Sequence, residues 1–292
     1  MESRKKDKHR SLAGRAFTAM TMLALTASLV TATYAWFTSN TRTSTEILKA
    51  RTGTDTLELQ ISTDGVNFRA EDKIAIRQVN KTASEKLLPV STADLKTFVW
   101  NQTTVNDVAS TFQKVENEAG YYHGRVYLKA VARGEAKSGK MRLYLDQGSE
   151  TGGNIAQKTS GEMLNAARLG LSFGNAGHVI FRLSDEANRA GKRSRNTKVG
   201  GQLLGDNEVL AWNGNGVRRT ADPAKDLSEY TITVTDAKVT VPKSYLCEME
   251  LNQSYPIDVY FYLEGCDPDC TDSISLQKAD LHLAFYGVMT QE

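Results

Sequence analysis

Most of this 292-residue chain is written in a two-residue period. Leu57, Leu59 and Ile61 alternate with Glu58 and Gln60, and Val126, Leu128 and Ala130 alternate with Tyr127 and Lys129. Met141, Leu143 and Leu145 form another set, as do Leu169, Leu171 and Phe173. Thr231 to Thr235 is β-branched throughout. Ile257, Val259, Phe261 and Leu263 alternate with Asp258, Tyr260 and Tyr262, and Leu281, Leu283 and Phe285 close the series. Successive side chains of a strand point to opposite faces, so this alternation marks ribbons with one dry and one wet face. About ten such strands without regular intervening helices predict an all-β fold. The expected form is an antiparallel β-sandwich of jelly-roll type.

Turn chemistry divides the strands. Asp64-Gly65 predicts a hairpin from Leu57–Ile61 into Val66 and Phe68, because Gly accepts the positive φ of tight turns. Gly174 to Gly177 predicts a second, returning through Val179 to Leu183. Short helical pieces are expected at Ser91–Leu95 and Gly161–Arg168. Two stretches read as irregular: Asn101 to Glu118, and an insertion at about 184–226 with one apolar island at Val209–Trp212. The insertion carries Arg189, Lys192, Arg193, Arg195 and Lys198. Its plain reading is a solvated surface loop; the sharper one is a contact for acidic polymers.

The N-terminus follows a different grammar. Arg4, Lys5, Lys6, Lys8, Arg10 and Arg15 precede an uncharged run from Ala16 to Thr41. A cationic end, an apolar middle and a small residue after it are the marks of a secretory signal. Residues 1–35 are therefore expected to be a signal peptide cut between Ala35 and Trp36, with Thr33 as the third-last residue before the cut. The alternative is a retained signal anchor, a hydrophobic leader helix holding the protein to the membrane. The run is diluted by Thr18, Thr21, Thr26 and Ser28 and only just reaches the length of a span. The predicted location is secreted or cell-surface, with membrane anchoring if the leader stays.

Charge supports the same division. The whole chain has 36 Lys and Arg against 34 Asp and Glu, a net of +2. The leader holds six of the basic and two of the acidic residues, leaving 30 against 32 in the body. The body therefore gives no general electrostatic reason to bind nucleic acid.

Catalytic signatures are sparse. The histidines, His9, His123, His178 and His282, form no His-Glu-x-x-His pair, and there is no nucleophile elbow or phosphate-cradling loop. No catalytic residue, cofactor site or metal site is assigned, and a non-enzyme is expected. Cys247, Cys266 and Cys270 lie in a chain expected to meet an oxidising compartment. A local disulfide between Cys266 and Cys270 would staple the loop around Asp267-Pro268-Asp269, and Cys247 could replace either partner. The same loop carries Glu264, Asp267, Asp269 and Asp272. Hard cations favour such clusters of oxygen, so calcium is a weak candidate beside the simpler reading of a solvated acidic turn.

After the cut, Trp36 and Phe37 would head a Thr-rich arm that reaches Ile47 and Leu48. An apolar, β-prone arm can add a strand to an open sheet edge, where backbone hydrogen bonds supply the affinity. It can equally fold onto its own domain as a first strand. Residues 36–52 are the candidate assembly arm, and 53–292 the β-domain.

The junction Thr33-Tyr34-Ala35-Trp36-Phe37-Thr38 resembles that of the TasA/camelysin group, exported Gram-positive proteins processed by the signal peptidase SipW. Leu281-His-Leu-Ala-Phe-Tyr-Gly-Val resembles the closing strand of these proteins, and Tyr262-Leu-Glu-Gly-Cys-Asp-Pro-Asp-Cys resembles a segment of clostridial members. The similarity covers about a third of the chain, at its two ends. It implies a jelly-roll sandwich, secretion, and extracellular-matrix or biofilm fibres in which one subunit's N-terminal arm completes the next subunit's sheet. Carried over, that role falls on residues 36–50. The metallopeptidase activity ascribed to the camelysin branch is not carried over, because no zinc site is recognisable. The alternative function is a membrane-tethered, adhesin-like binding module.

Overall fold

The computed structural model describes residues 43–290, except for 53–56, 71–73, 81–86, 102–111, 133–138, 147–162, 185–197, 200–201, 206, 236–237, 271–273 and 275–278. These residues belong to the unit Asn40–Glu292. The leader, with Thr33, Ala35, Trp36 and Phe37, lies outside them, as do Asp272, Arg189, Lys192, Arg193 and Arg195.

Strands β1 (Thr43–Thr52) and β2 (Leu57–Ser62) are followed by two short ones, β3 (Ile74–Ala75) and β4 (Arg77–Gln78). Next come β5 (Pro89–Ser91), β6 (Val99–Asn101), β7 (Phe112–Lys114), β8 (Tyr122–Ala132) and β9 (Lys140–Asp146). One helical turn, α1 (Met163–Ala166), runs straight into β10 (Ala167–Ser172), and β11 (His178–Arg182) returns beside it. The insertion holds β12 (Lys198–Val199), β13 (Gln202–Leu203), β14 (Glu208–Trp212), β15 (Val217–Ala221) and β16 (Lys225–Asp226). The chain closes with β17 (Thr231–Thr235), β18 (Lys238–Thr240), β19 (Cys247–Glu250), β20 (Ser254–Glu264) and β21 (Ala279–Met289).

The fold is all-β. A ten-stranded sheet runs β16-β11-β10-β20-β5-β6-β7, with β8 joining β20 to β2 and β4. A seven-stranded sheet runs β18-β17-β9-β21-β1-β3, with β19 also on β9. β12–β13 and β14–β15 are separate hairpins. One buried cluster draws on both large sheets. It takes Leu59, Ile61, Val126, Leu128, Val259 and Phe261 from the first, and Leu143, Leu145, Met249, Leu283 and Phe285 from the second. All but Met249 are residues the two-residue period assigns to dry faces. Each large side chain contributes about 1.5–3 kcal/mol on burial.

Four expectations need correcting. The pairing is mixed: β1–β21, β20–β5, β17–β9 and β11–β16 are parallel. Alternation sets a strand's faces but not its neighbour's direction. Ser91–Leu95 is not helical. Ser91 ends β5, and the Asp94 carboxylate accepts the backbone N–H groups of Lys96 and Thr97 at 2.9 and 3.0 Å, making a side-chain-closed turn. Asp64 likewise accepts from Val66 and Asn67, but the return strand shrinks to one bridge, Ile61 with Arg69, and the pairing along β2 is made with β8. The insertion is also ordered at its core, since β14–β15 carries buried Val209, Leu210 and Ala211 against the body.

Candidate functional site

The first candidate is the place of the arm. β1 lies between β21 and β3. Nine register pairs, from Thr43 with Ala279 to Thr52 with Gly287, join it in parallel to β21. The register shifts between Ile47 and Lys49, so Leu48 is the residue stepped over and Ile47 stands opposite Leu283. On its other side β1 meets β3 at Glu46 and Ile47. Within one chain, therefore, the second half of the arm fills a slot in its own sheet.

On the other side of β21, a Cβ on Gly287 would collide with the Sδ of Met141, which packs from β9 across the register pair Gly287–Leu143. The glycine leaves that space on the face of β21 to the methionine side chain.

The second candidate is the acidic turn after β20. It is not a solvated loop: Glu264, Asp267 and Asp269 are all buried. The reason is Arg168, 2% exposed, at the start of β10. Its guanidinium donates to Asp267 Oδ2 at 2.7 Å and lies 3.7 Å from Asp222 of the insertion. Asp222 also accepts from Arg182 at 3.3 Å. Burial works against charge on Arg168, but Asp267, Asp222 and Glu264 outweigh it and hold the guanidinium firmly protonated. Burial also opposes ionisation of Asp222, yet Arg168 holds it below the ordinary carboxylate value. Glu264 goes the other way: burial pushes it up to about 7.

This geometry bears on two expectations. A calcium ion at Glu264, Asp267 and Asp269 would have to share the turn with the Arg168 charge, and Asp267 is already committed to it. Among the described residues, no group of three or more His, Cys, Asp or Glu side chains is placed to hold a metal ion. The cysteines stand as thiols, and no bridge joins Cys266 to Cys270. Backbone hydrogen bonds close the turn instead, from Asp267 N–H to the Glu264 carbonyl and from Cys270 N–H to the Asp267 carbonyl. The two side chains also serve different clusters. Cys266 packs with Val99, Leu204 and Leu210, whereas Cys270 packs against the main core. Cys247 is buried in that core too, and burial pushes its thiol up to about 12.

The third candidate was not signalled by any motif. His123 on β8 is 5% exposed and stacks on Tyr260 of β20 at 4.4 Å. Its Nδ1 lies 3.2 Å from Glu118 Oε2, and its Nε2 lies 3.1 Å from Asp258 Oδ1. Arg125 grips the same Asp258 through two hydrogen bonds of 2.6 and 2.9 Å. Burial works against a charged ring, but the hydrogen bonds to Asp258 and Glu118 prevail and raise the pKa above the ordinary histidine value. With both ring nitrogens facing carboxylates, the imidazole offers no lone pair to a substrate proton. The sequence placed His123 near a strand pattern, but its partner Asp258 is 135 residues away.

No helix among the described residues is long and apolar enough to cross a membrane. No family model matches the chain, nor does any curated protein or solved structure.

Proposed function

We propose that the chain is an exported, non-enzymatic structural subunit, a TasA-like matrix protein with a jelly-roll sandwich that assembles through its N-terminal arm. The observation that carries this reading is the parallel ladder between β1 and β21. It joins the first described strand to the last by backbone hydrogen bonds over nine register pairs. Such a ladder presents the same donors and acceptors whichever copy supplies the strand. A second copy's β1 can therefore take the place of the first, and repetition of that exchange builds a fibre. Cutting after Ala35 would free the arm for it.

The test is deletion of residues 36–50 from the secreted protein, followed by electron microscopy and addition of a synthetic peptide spanning 43–52. The proposal expects no fibres from the truncated chain and tight uptake of the peptide. Fibres that form equally well without the arm would sink it. Mass spectrometry of the native N-terminus is the companion measurement. A start at Trp36 supports release and assembly, and an intact leader supports the membrane-tethered binding module instead.

A further inference from the structure

We infer that His123 is a proton-operated latch on the turn Glu116–Ala119, which walls a cleft beside Trp100. The cleft has a volume of about 180 Å³ and is lined by Leu88, Trp100, Val115, Glu116 and Ala119, among others. It lies at the β6–β7 end of the ten-stranded sheet.

Hydrogen-bond inventory sets what this contact requires of the ring. A carboxylate only accepts, and a neutral imidazole carries one N–H and one bare nitrogen. Here both ring nitrogens face carboxylate oxygens, at 3.2 and 3.1 Å. Only the doubly protonated ring satisfies both. When the proton leaves, one carboxylate must face a lone pair. Asp258 keeps its two hydrogen bonds from Arg125 and stays on β20. Glu118 sits on the turn with its side chain 44% exposed, so it is the partner that can swing into water.

The turn has reason to move once released. Asn117 and Glu118 both have positive φ, 56° and 52°, a conformation that non-glycine residues adopt at a cost. Among the contacts that offset this cost, the one from His123 is the one a proton controls. Ala119 N–H donates to the Glu116 carbonyl at 3.3 Å, Asn80 Nδ2 donates to the Glu118 carbonyl at 3.0 Å, and His123 holds the Glu118 carboxylate.

The charged and titratable groups around His123 fit a single switching proton. Glu118 comes from the turn, Asp258 and Tyr260 from β20, Tyr121 from the entry to β8, and Arg125 from β8 itself. From the β4 side come Arg77, in register with Arg125, and neutral Asn80, whose Oδ1 accepts the His123 backbone N–H. Burial pushes both tyrosines above their ordinary value, and Asp258 is held below its own despite burial because His123 and Arg125 bond to it. The ring is thus the group whose proton both carboxylates share.

The test uses the full chain carrying Trp36→Phe and Trp212→Phe, which leaves Trp100 as the only tryptophan. Its emission is followed from pH 5.5 to 9, with the His123 ring titrated by NMR in the same sample. The expected result is a one-proton red shift of Trp100 that coincides with the histidine titration. It should vanish in His123→Gln. Glu118→Gln, at an exposed position, covers the case in which the buried variant fails to fold. It should leave Trp100 shifted at every pH while His123 still titrates, with a lower midpoint. Trp100 emission that is flat in the parent, or that titrates alike in parent and variants, would overturn the latch.

Discussion

β20 and β21 are long strands, one in each large sheet, and their neighbours hold them in different ways. β20 is flanked by antiparallel β8 and β10, with parallel β5 only at its last two residues, and charged side chains pin it on both sides. Asp258 takes Arg125 and His123 from β8, and Asp267, just past the end of β20, takes Arg168 from β10. β21 has the antiparallel β9 on one side, where Gly287 makes room for Met141, and the parallel β1 on the other. A side-chain staple specifies the strand it accepts, because the Asp267 carboxylate is matched by the Arg168 guanidinium in charge and position. A backbone ladder does not, because any copy of β1 offers the same groups. The contrast teaches where this fold is committed to itself and where it can accept a second chain.

The strongest way to break the β20 side is Arg168→Met. It leaves Asp267 and Glu264 buried without their cation and Asp222 with Arg182 alone, and removing one partner of a buried ion pair costs about 3–5 kcal/mol. Urea unfolding should show that loss, and a change of under about 1 kcal/mol would mean that the cluster is not what holds the insertion to β10. Next in size is pH. Glu264 binds its proton more tightly folded than unfolded, so stability declines as pH rises from its ordinary value, near 4.5, through about 7. The fall should amount to about 2–3 kcal/mol, and Glu264→Gln should flatten that window. His123 adds to the same direction. Its folded pKa is raised, so its contribution is full below the unfolded value and is lost as pH passes the folded one.

On the β21 side, Gly287→Ala forces Met141 and β9 aside at about 1–2 kcal/mol, the usual scale of overpacking. Its sharper readout is assembly, because displacing β21 disturbs the slot that β1 occupies. The smallest effect expected is Asp64→Ala. The turn carboxylate bonds locally to Val66 and Asn67 and reaches neither long seam, so the thermal midpoint should move by about 1 °C.

The dry faces of β2, β8, β9, β10, β20 and β21 were legible because alternation is a local property, and so was the β10–β11 return across Gly174 to Gly177. Partner choice was not. β1 meets β21 across almost the whole chain, and a Thr-rich decamer looks the same whether it pairs with its own body or another. The charged clusters were hidden for a similar reason. Arg168 reads as the last residue of a short helical piece, with no counter-charge beside it, until Asp267, 99 residues on, is brought against it. The acidic turn read as wet or calcium-binding because its counter-charge is distant in sequence. The Cys266–Cys270 staple followed from spacing, but spacing does not reveal that the two side chains serve different clusters.

The central claim, that β1 can pair with the β21 of another copy, has a direct test in the register. Glu46 and His282 are Cα partners, so Glu46→Cys/His282→Cys places one thiol on each side of the seam. Freshly purified monomer and assembled material are oxidised separately and run without reductant. Exchange predicts a cross-linked single chain from the monomer and a covalent ladder of multimers from the fibres. Fibres whose cross-links all close within one chain would contradict it.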